Sequence, residues 1–208
     1  MDKVIKEANR KKIETIIRNL AKRNMEGYYC ETADDARDLI LSMVGEQDTV
    51  SWGGSVTLNQ IGIKEKLKNV IDATKAPAEK AYEERRRTLT ADVYLTGTNA
   101  ITMKGELVNI DGTGNRVAAM CFGPERVIVV AGVNKIVEDE AAAISRIHTD
   151  ACPPNCIRLG KNTPCAATGK CGDCLTPGQT ICAYTVTTRF SSIPRRIQVI
   201  LVSESLGF

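Results

Sequence analysis

The fold is decided by residues 92–135, which read DVYLTGTNAITMKGELVNIDGTGNRVAAMCFGPERVIVVAGVNK. Two apolar runs in this stretch, residues 93–95 and 127–130, have the composition of strands that are buried on both faces. Each run is followed by a cluster of glycine and polar side chains, at residues 96–99 and 132–135. Because the carboxyl ends of parallel strands form the ligand crevice of open α/β sheets, the stretch predicts a pocket at that edge.

Helices and strands alternate on both sides of this stretch. Residues 2–25 repeat apolar side chains at helical spacing and form a predicted N-terminal helix with a basic outer face. Residues 48–52 form a short predicted strand, and two further strands are predicted at residues 184–189 and 197–202. Strands that alternate with helices predict a parallel or mixed sheet with helices on both faces, within a single domain over residues 1–208.

The composition excludes several classes of protein. The chain has 208 residues, of which 43% are hydrophobic and 25% are charged, as in ordinary soluble domains. A net charge of +3 and an aromatic content of 4% argue against a nucleic-acid partner. No apolar run approaches the ~20 residues that a membrane span needs. The N-terminal sequence also lacks the apolar region of a signal peptide, and we therefore expect a cytoplasmic protein without a membrane partner.

The 8 cysteines are the compositional anomaly, since most of them lie near the C-terminus. Residues 150–183 form a proline- and glycine-rich insert in which thiols cluster. Four thiolates in a segment with little core of its own suit Zn²⁺ or an iron–sulfur cluster, and the cluster is slightly favoured. The alternative is a set of reduced thiols packed as small apolar side chains. The predicted metal ligands are Cys165, Cys171, Cys174 and Cys182.

The polar residues that follow the predicted strands form the candidate ligand site. The turn after residues 48–52 either exposes backbone N–H groups to an anion or is an ordinary turn capped by Ser55. Lys135 follows a buried strand, so we expect its ammonium group to point into the crevice. Arg116 either clamps the same anion or pairs internally with Asp111 or Glu106. The predicted ligand-binding residues are Gly53, Gly54, Ser55, Thr57, Asn99, Asn109, Asp111, Gly112, Gly114, Asn115, Arg116, Asn134 and Lys135.

Several of these segments together resemble a known family. Four features carry the resemblance: the segments NAITMKGELVNIDGTGNRVAAMCFGP and VIVVAGVNKIV, the Trp52-Gly53-Gly54-Ser55 turn, and the late cysteine pattern. Together they closely resemble the LUD domain of lactate-utilisation proteins of the C type. The resemblance implies a three-layer α/β/α fold around a mostly parallel sheet, similar to the sugar-isomerase and CoA-transferase superfamily. It also implies a link, in some relatives, to the oxidation of lactate to pyruvate alongside iron–sulfur proteins. Because that superfamily uses a carboxylate from this region, Glu106 is the predicted acid or base.

A weaker likeness concerns the first half of the central stretch. Residues 96–115 are similar to the strand and loop of methylthioribose-phosphate isomerases, and Asn99 stands where those enzymes place a catalytic aspartate. An amide cannot act as a carboxylate base, so we do not expect that particular isomerisation here.

The sequence thus supports three hypotheses about function. The first is a LUD-type protein that binds a small anionic metabolite, a hydroxy acid, keto acid or sugar phosphate, in lactate-utilisation-like redox metabolism. The second is an isomerase or acyl/CoA-transferase-type enzyme that uses Glu106. The third is a non-catalytic assembly or regulatory subunit, with iron–sulfur oxidoreductase subunits as partners. All three leave a homo-oligomer open.

Overall fold

The structure is a computed structural model that describes residues 3–208. The predicted helix 2–25 therefore begins outside the described residues. None of the helices within residues 3–208 is long and apolar enough to span a bilayer. The α-helices are α1 Lys3–Ala21, α2 Ala33–Met43, α3 Val56–Gln60, α4 Ala81–Arg87, α5 Asn115–Cys121, α6 Glu140–Arg146, α7 Cys152–Arg158 and α8 Pro164–Thr168. The strands are β1 Glu26–Cys30, β2 Val50–Trp52, β3 Val70–Ile71, β4 Val93–Gly97, β5 Ala100–Thr102, β6 Leu107–Asp111, β7 Arg126–Gly132, β8 Ile136–Val137, β9 Tyr184–Thr188 and β10 Ile197–Val202.

The main sheet has six strands in the order β1-β10-β7-β4-β2-β3. Every neighbouring pair in it is parallel. At the centre, Val129 of β7 lies opposite Thr96 of β4 on one side and Val199 of β10 on the other. The prediction of a mostly parallel sheet is therefore confirmed.

Both faces of this sheet are covered by helices, which explains why residues 127–130 at its centre are apolar on both faces. Alternate side chains of β7 point to opposite faces. Val127 and Val129 pack in one core with side chains of α1 and α5, and Ile128 and Val130 pack in another with side chains of α2 and α3. All four valine and isoleucine side chains are fully buried. The three-layer α/β/α arrangement is thus confirmed.

A second, smaller sheet lies beside the first and was not predicted from the sequence. Its four strands have the order β8-β5-β6-β9. β5 and β6 form an antiparallel hairpin, which turns at Gly105 with a φ of 83°. β4 ends at Gly97 and β5 begins at Ala100, so residues 98–99 pass directly from one sheet to the other. This crossing point lies at the carboxyl edge of the main sheet.

The cysteine-rich insert is more regular than its prolines suggest. α6 continues through a π-helical turn, Ile147–Ala151, directly into α7. Pro153 and Pro154 fall in the first turn of α7, directly after the π-helical turn. The prolines of the insert are thus compatible with two helices, α7 and α8.

The chain packs closely against the end of β7, at Gly132. At Gly132 an added Cβ would lie 2.5 Å from the Leu206 nitrogen and would also press on the Glu204 carbonyl oxygen. Backbone on both sides is held in place, since Val133 N donates to Glu204 O at 3.1 Å. We expect Gly132→Ala to lower the free energy of unfolding by about 1–3 kcal/mol, measured by chemical denaturation.

Gly54→Ala is the matched control, because a Cβ there meets no atom within 4 Å. Its free energy of unfolding should stay within about 0.5 kcal/mol of the wild-type value. Equal stability of Gly132→Ala and wild type would contradict the close approach of residues 204–206.

Candidate functional site

A cavity of about 740 Å³ opens at the carboxyl edge of the main sheet. This volume is in the range of small-molecule sites. One wall follows the ends of β2, β4, β6 and β7, and the opposite wall belongs to the cysteine-rich insert. The lining residues are Gly54, Ser55, Val56, Thr57, Arg85, Gly97, Thr98, Asn99, Ile110, Asp111, Gly112, Thr113, Asn115, Arg116, Lys135, Ala151, Cys152, Asn155, Arg158, Leu159, Lys161, Gly178, Thr180, Ile181, Gly207 and Phe208.

Most of the predicted ligand-binding residues meet at this cavity. Those that line it are Gly54, Ser55, Thr57, Asn99, Asp111, Gly112, Asn115, Arg116 and Lys135. The other four do not line it: Gly53, Asn109, Gly114 and Asn134. Nine of the thirteen predicted residues thus line one cavity, and their binding of a ligand stays a prediction.

Arg116 lines the cavity, but its guanidinium group is occupied by contacts within the protein. Its Nε lies 3.3 Å from Asp111 Oδ2, and its Nη2 donates to Asn99 Oδ1 and to the Ile110 carbonyl oxygen, both at 2.9 Å. Its Nη1 donates to Asn109 Oδ1 and, at 3.4 Å, to the Gly97 carbonyl oxygen. Of the two predicted roles for Arg116, the structure shows the internal ion pair with Asp111.

The side chains that contact Arg116 also accept hydrogen bonds from nearby backbone N–H groups. Asn99 Oδ1 also accepts the Ile110 N–H at 3.0 Å, and Asn109 Oδ1 also accepts the Asn99 N–H at 3.1 Å. Asp111 Oδ1 accepts the N–H groups of Thr113 and Gly114, at 3.2 and 3.1 Å. Asn99 and Asn109 therefore orient the crossing between the two sheets.

Lys135 differs from Arg116, because no carboxylate neutralises it. Its side chain is buried, with 4% of the residue exposed, and its Nζ donates to Thr57 Oγ1 at 2.9 Å. Within residues 3–208 its amine belongs to no ion pair. Burial, and then the positive charges of Arg146 and Arg116, lower the pKa of Lys135 to about 7. The prediction that Lys135 faces the crevice is matched by its position in the cavity wall.

Three further cations in the cavity wall were not singled out from the sequence. Arg85 lies in α4, and Arg158 and Lys161 lie in the insert. Arg158 donates to Asn155 Oδ1, at 2.7 Å from Nη2, and Lys161 Nζ donates to the Gly178 carbonyl oxygen at 2.9 Å. In the described part of the chain none of the three pairs with a carboxylate. The run of three arginines in α4 was a visible signal, but it also suits the C-terminal end of a helix.

Arg146 supports the site from behind. It is 9% exposed, and it donates from Nε to the Asn134 carbonyl oxygen at 2.8 Å and from Nη1 to the Asn99 carbonyl oxygen at 2.7 Å. Its guanidinium group therefore ties α6 to the ends of β4 and β7. A single arginine in the helical pattern gave no signal for this role.

Glu106 lies away from the cavity. Its Oε1 is 3.1 Å from Arg23 Nη2, and its Oε2 accepts the Thr102 hydroxyl at 3.2 Å. It is not one of the residues that line the cavity. Its role as an acid or base stays a prediction, and we do not include it in the site.

One thiol contact in the insert involves a cysteine outside the predicted metal ligands. Cys182 Sγ lies 3.4 Å from the Sγ of Cys152, a residue to which the prediction gave no role. Cys165 is buried, while Cys171 and Cys174 are partly exposed. Within residues 3–208 no three histidine, cysteine or acidic side chains are arranged to hold a metal ion. Binding of Zn²⁺ or an iron–sulfur cluster at Cys165, Cys171, Cys174 and Cys182 stays a prediction.

The parallel sheet and its basic edge cavity define an α/β domain, and comparison with known proteins identifies its family. The chain belongs to the LUD domain family, whose model matches residues 13–202. That family relates to lactate utilisation. The resemblance stated from the sequence is thereby confirmed.

A solved structure shares the fold. The crystal structure of a DUF162 family protein from Deinococcus radiodurans aligns with a TM-score of 0.56 and 15% identity, over 94% of this chain and 98% of that chain. At this identity the likeness concerns the fold alone. Among curated proteins, none matches the chain.

The Arg116 contacts predict a large loss of stability on substitution. Arg116→Met leaves the carboxylate of Asp111 buried without a countercharge, because the side chains of this pair are only 14% and 9% exposed. We expect the free energy of unfolding to fall by about 3–5 kcal/mol in chemical denaturation. Arg85→Met is the matched control and should cost less than about 0.5 kcal/mol, since Arg85 has no carboxylate partner in the described chain. Similar losses in the two variants would contradict a structural role for Arg116.

The short distance between Cys152 and Cys182 predicts a reversible disulfide. The Cys152 thiol donates a hydrogen bond that lowers the pKa of Cys182, so Cys182 is the better nucleophile. With oxidised glutathione, we expect the Cys182 thiolate to displace one glutathione and the Cys152 thiol to displace the other. Mass spectrometry of an unreduced digest should then find the Cys152–Cys182 peptide pair.

The exposed Cys121 provides the control for this reaction. Cys121→Ser should leave the cross-link unchanged, and Cys182→Ser should abolish it. A stable glutathione adduct on Cys182 without the cross-link would show that the two sulfur atoms do not approach as the structure has them.

Proposed function

We propose that the cavity binds a small metabolite that carries more than one negative charge. The supporting observation is the excess of positive charge in its wall. Arg85, Arg158 and Lys161 have no carboxylate partner in the described chain, and the one acidic side chain of the wall, Asp111, is held by Arg116. An anionic ligand supplies the missing countercharge and charge-assisted hydrogen bonds.

The volume of the cavity narrows the choice among anions. A three-carbon hydroxy or keto acid would leave most of about 740 Å³ unfilled. A sugar phosphate is larger, carries about two negative charges on its phosphate group, and offers hydroxyl groups to the polar wall. Among the ligand classes considered from the sequence, the phosphorylated metabolite is therefore the best match.

The wall also offers neutral partners for such a ligand. Ser55 and Thr57 stand at the start of α3, and Thr180 comes from the insert. Ser55 Oγ accepts the Leu58 N–H at 3.2 Å, so it caps the helix, and its hydroxyl hydrogen remains available to an acceptor. Cations around a rim of hydroxyl groups are suited to a phosphorylated, hydroxylated molecule.

The family supports the metabolic setting of the proposal. Since LUD domain proteins relate to lactate utilisation, we place the ligand in carboxylic-acid redox metabolism. In that setting the protein binds a phosphorylated intermediate or effector, and lactate and pyruvate serve as the small-acid comparison.

The proposal is tested by ligand-induced stabilisation. Ribose 5-phosphate, lactate and pyruvate are each added to the protein at low salt, and the melting temperature is recorded. A ligand at 100 times its Kd adds about 2.7 kcal/mol to the free energy of unfolding, which is several degrees for a chain of this size. We expect ribose 5-phosphate to raise the melting temperature more than either acid, and added salt to reduce the effect.

Variants of the insert localise the binding. Arg158→Gln and Lys161→Gln should each weaken binding of ribose 5-phosphate by about 5- to 10-fold in titration calorimetry. Lys170→Gln is the matched control, because Lys170 is an exposed lysine of the same insert that does not line the cavity. If no phosphorylated compound binds, or if all three variants bind equally, the proposal fails.

A further inference from the structure

The position of the Lys135 amine, in the wall of the cavity, suits a nucleophile. It lies in the turn Val133–Lys135 that directly follows β7, at the base of the cavity. Its one hydrogen-bond partner in the described chain is Thr57 Oγ1 at 2.9 Å. An ammonium group has three hydrogens to donate, whereas a neutral amine has two and a lone pair. A single hydrogen-bond partner that is not acidic suits the neutral amine better than the ammonium group.

The charges around Lys135 favour the same state. The positively charged neighbours are Arg146, behind the wall, and Arg116, beside it, and both disfavour an ammonium group. Asp111, the acidic residue of the wall, is paired with Arg116 instead. A lysine that is neutral near pH 7 can attack a carbonyl carbon, and desolvation near other cations is the usual way in which proteins produce one.

Glycines keep the space beside the amine open. A Cβ at Gly97 would lie 3.6 Å from Nζ, and a Cβ at Gly207 would lie 3.1 Å from it. Gly207 has a φ of 66°, a conformation that other residues rarely adopt. Neither residue therefore places a side chain beside the amine.

We propose that Lys135 condenses with the carbonyl carbon of the bound metabolite to form an imine. This inference rests on the proposed function, and it narrows the ligand to an aldehyde or ketone that also carries phosphate or carboxylate groups. The lone pair of Nζ forms the new carbon–nitrogen bond. The carbonyl oxygen leaves as water with the two hydrogens of the amine, and no oxidant or reductant takes part.

The surrounding groups support each part of this step. The Thr57 hydroxyl touches the amine and can pass a proton between the nitrogen and the departing oxygen. The anionic groups of the ligand balance the charge of a protonated imine, since Asp111, the one acidic side chain among the described wall residues, is paired with Arg116. A hydroxy acid such as lactate has no carbonyl group of this kind and would bind without condensing.

The test is reductive trapping on the wild-type protein. Dihydroxyacetone phosphate is incubated with the protein at neutral pH, borohydride is added, and the modified peptides are identified by mass spectrometry. We expect a secondary amine at Lys135 that forms at least 10-fold faster than adducts at other lysines. Lactate should give no adduct, and excess inorganic phosphate should slow the labelling.

Two variants and one binding measurement make the result decisive. Lys135→Met should lose the adduct, while Lys170→Gln should keep it at the wild-type rate. Binding of dihydroxyacetone phosphate is measured in parallel by calorimetry without borohydride. Binding without an adduct at Lys135, or labelling spread evenly over surface lysines, overturns the inference and leaves the proposed function standing. Absence of binding refutes the proposed function itself.

Discussion

The ion pair between Arg116 and Asp111 determines how the rest of the site is built. Arg116 reaches from α5 to the end of β4, to Asn99 at the crossing between the sheets, and to β6. One guanidinium group thus holds together three segments that are close in space but belong to two different sheets. Because it also engages the acidic residue of the cavity wall, the remaining cations face the cavity without a countercharge.

This arrangement has a cost in stability. A buried lysine without an acidic partner disfavours the folded state whenever the amine is protonated. Since the pKa of Lys135 is about 7 in the folded chain and higher in the unfolded chain, the unfolded chain binds more protons between about pH 7 and the ordinary lysine value. The free energy of unfolding therefore rises with pH across that window, and this contribution is lost as pH falls through it. The apolar cores on both faces of the parallel sheet offset this cost.

The sequence predicts the main sheet because its central strands carry an unambiguous pattern. Residues 127–130 are apolar throughout, and residues 197–202 are apolar except for Gln198, as is usual for buried parallel strands; the structure has strands at both. Local capping signals were equally informative. Thr32 caps α2 and Ser55 caps α3, as residues of their type do before a helix. Lys135 could be placed at the cavity because it follows a buried strand, and this required no knowledge of packing.

The rest of the site depends on long-range packing that leaves no local signal. In the second sheet, β9 lies at the strand predicted over residues 184–189, whereas β5 and β8 are too short to show a strong pattern of their own. Arg158 and Lys161 resemble ordinary surface cations until the π-helical turn brings the insert over the cavity. The spacing of Cys171 and Cys174 suggested one group of thiols, whereas packing of the insert brings Cys182 to Cys152.

The central claim is that Lys135 lacks a countercharge because Arg116 holds Asp111. Its most direct test is the titration of the Lys135 side-chain amine by NMR on protein with ¹⁵N-labelled lysine, with the signal assigned by its loss in Lys135→Met. The account predicts a midpoint near pH 7, because the amine is buried beside Arg146 and Arg116. A midpoint near the ordinary value of about 10.4 would contradict it, since the amine would then be solvated or paired with an acid.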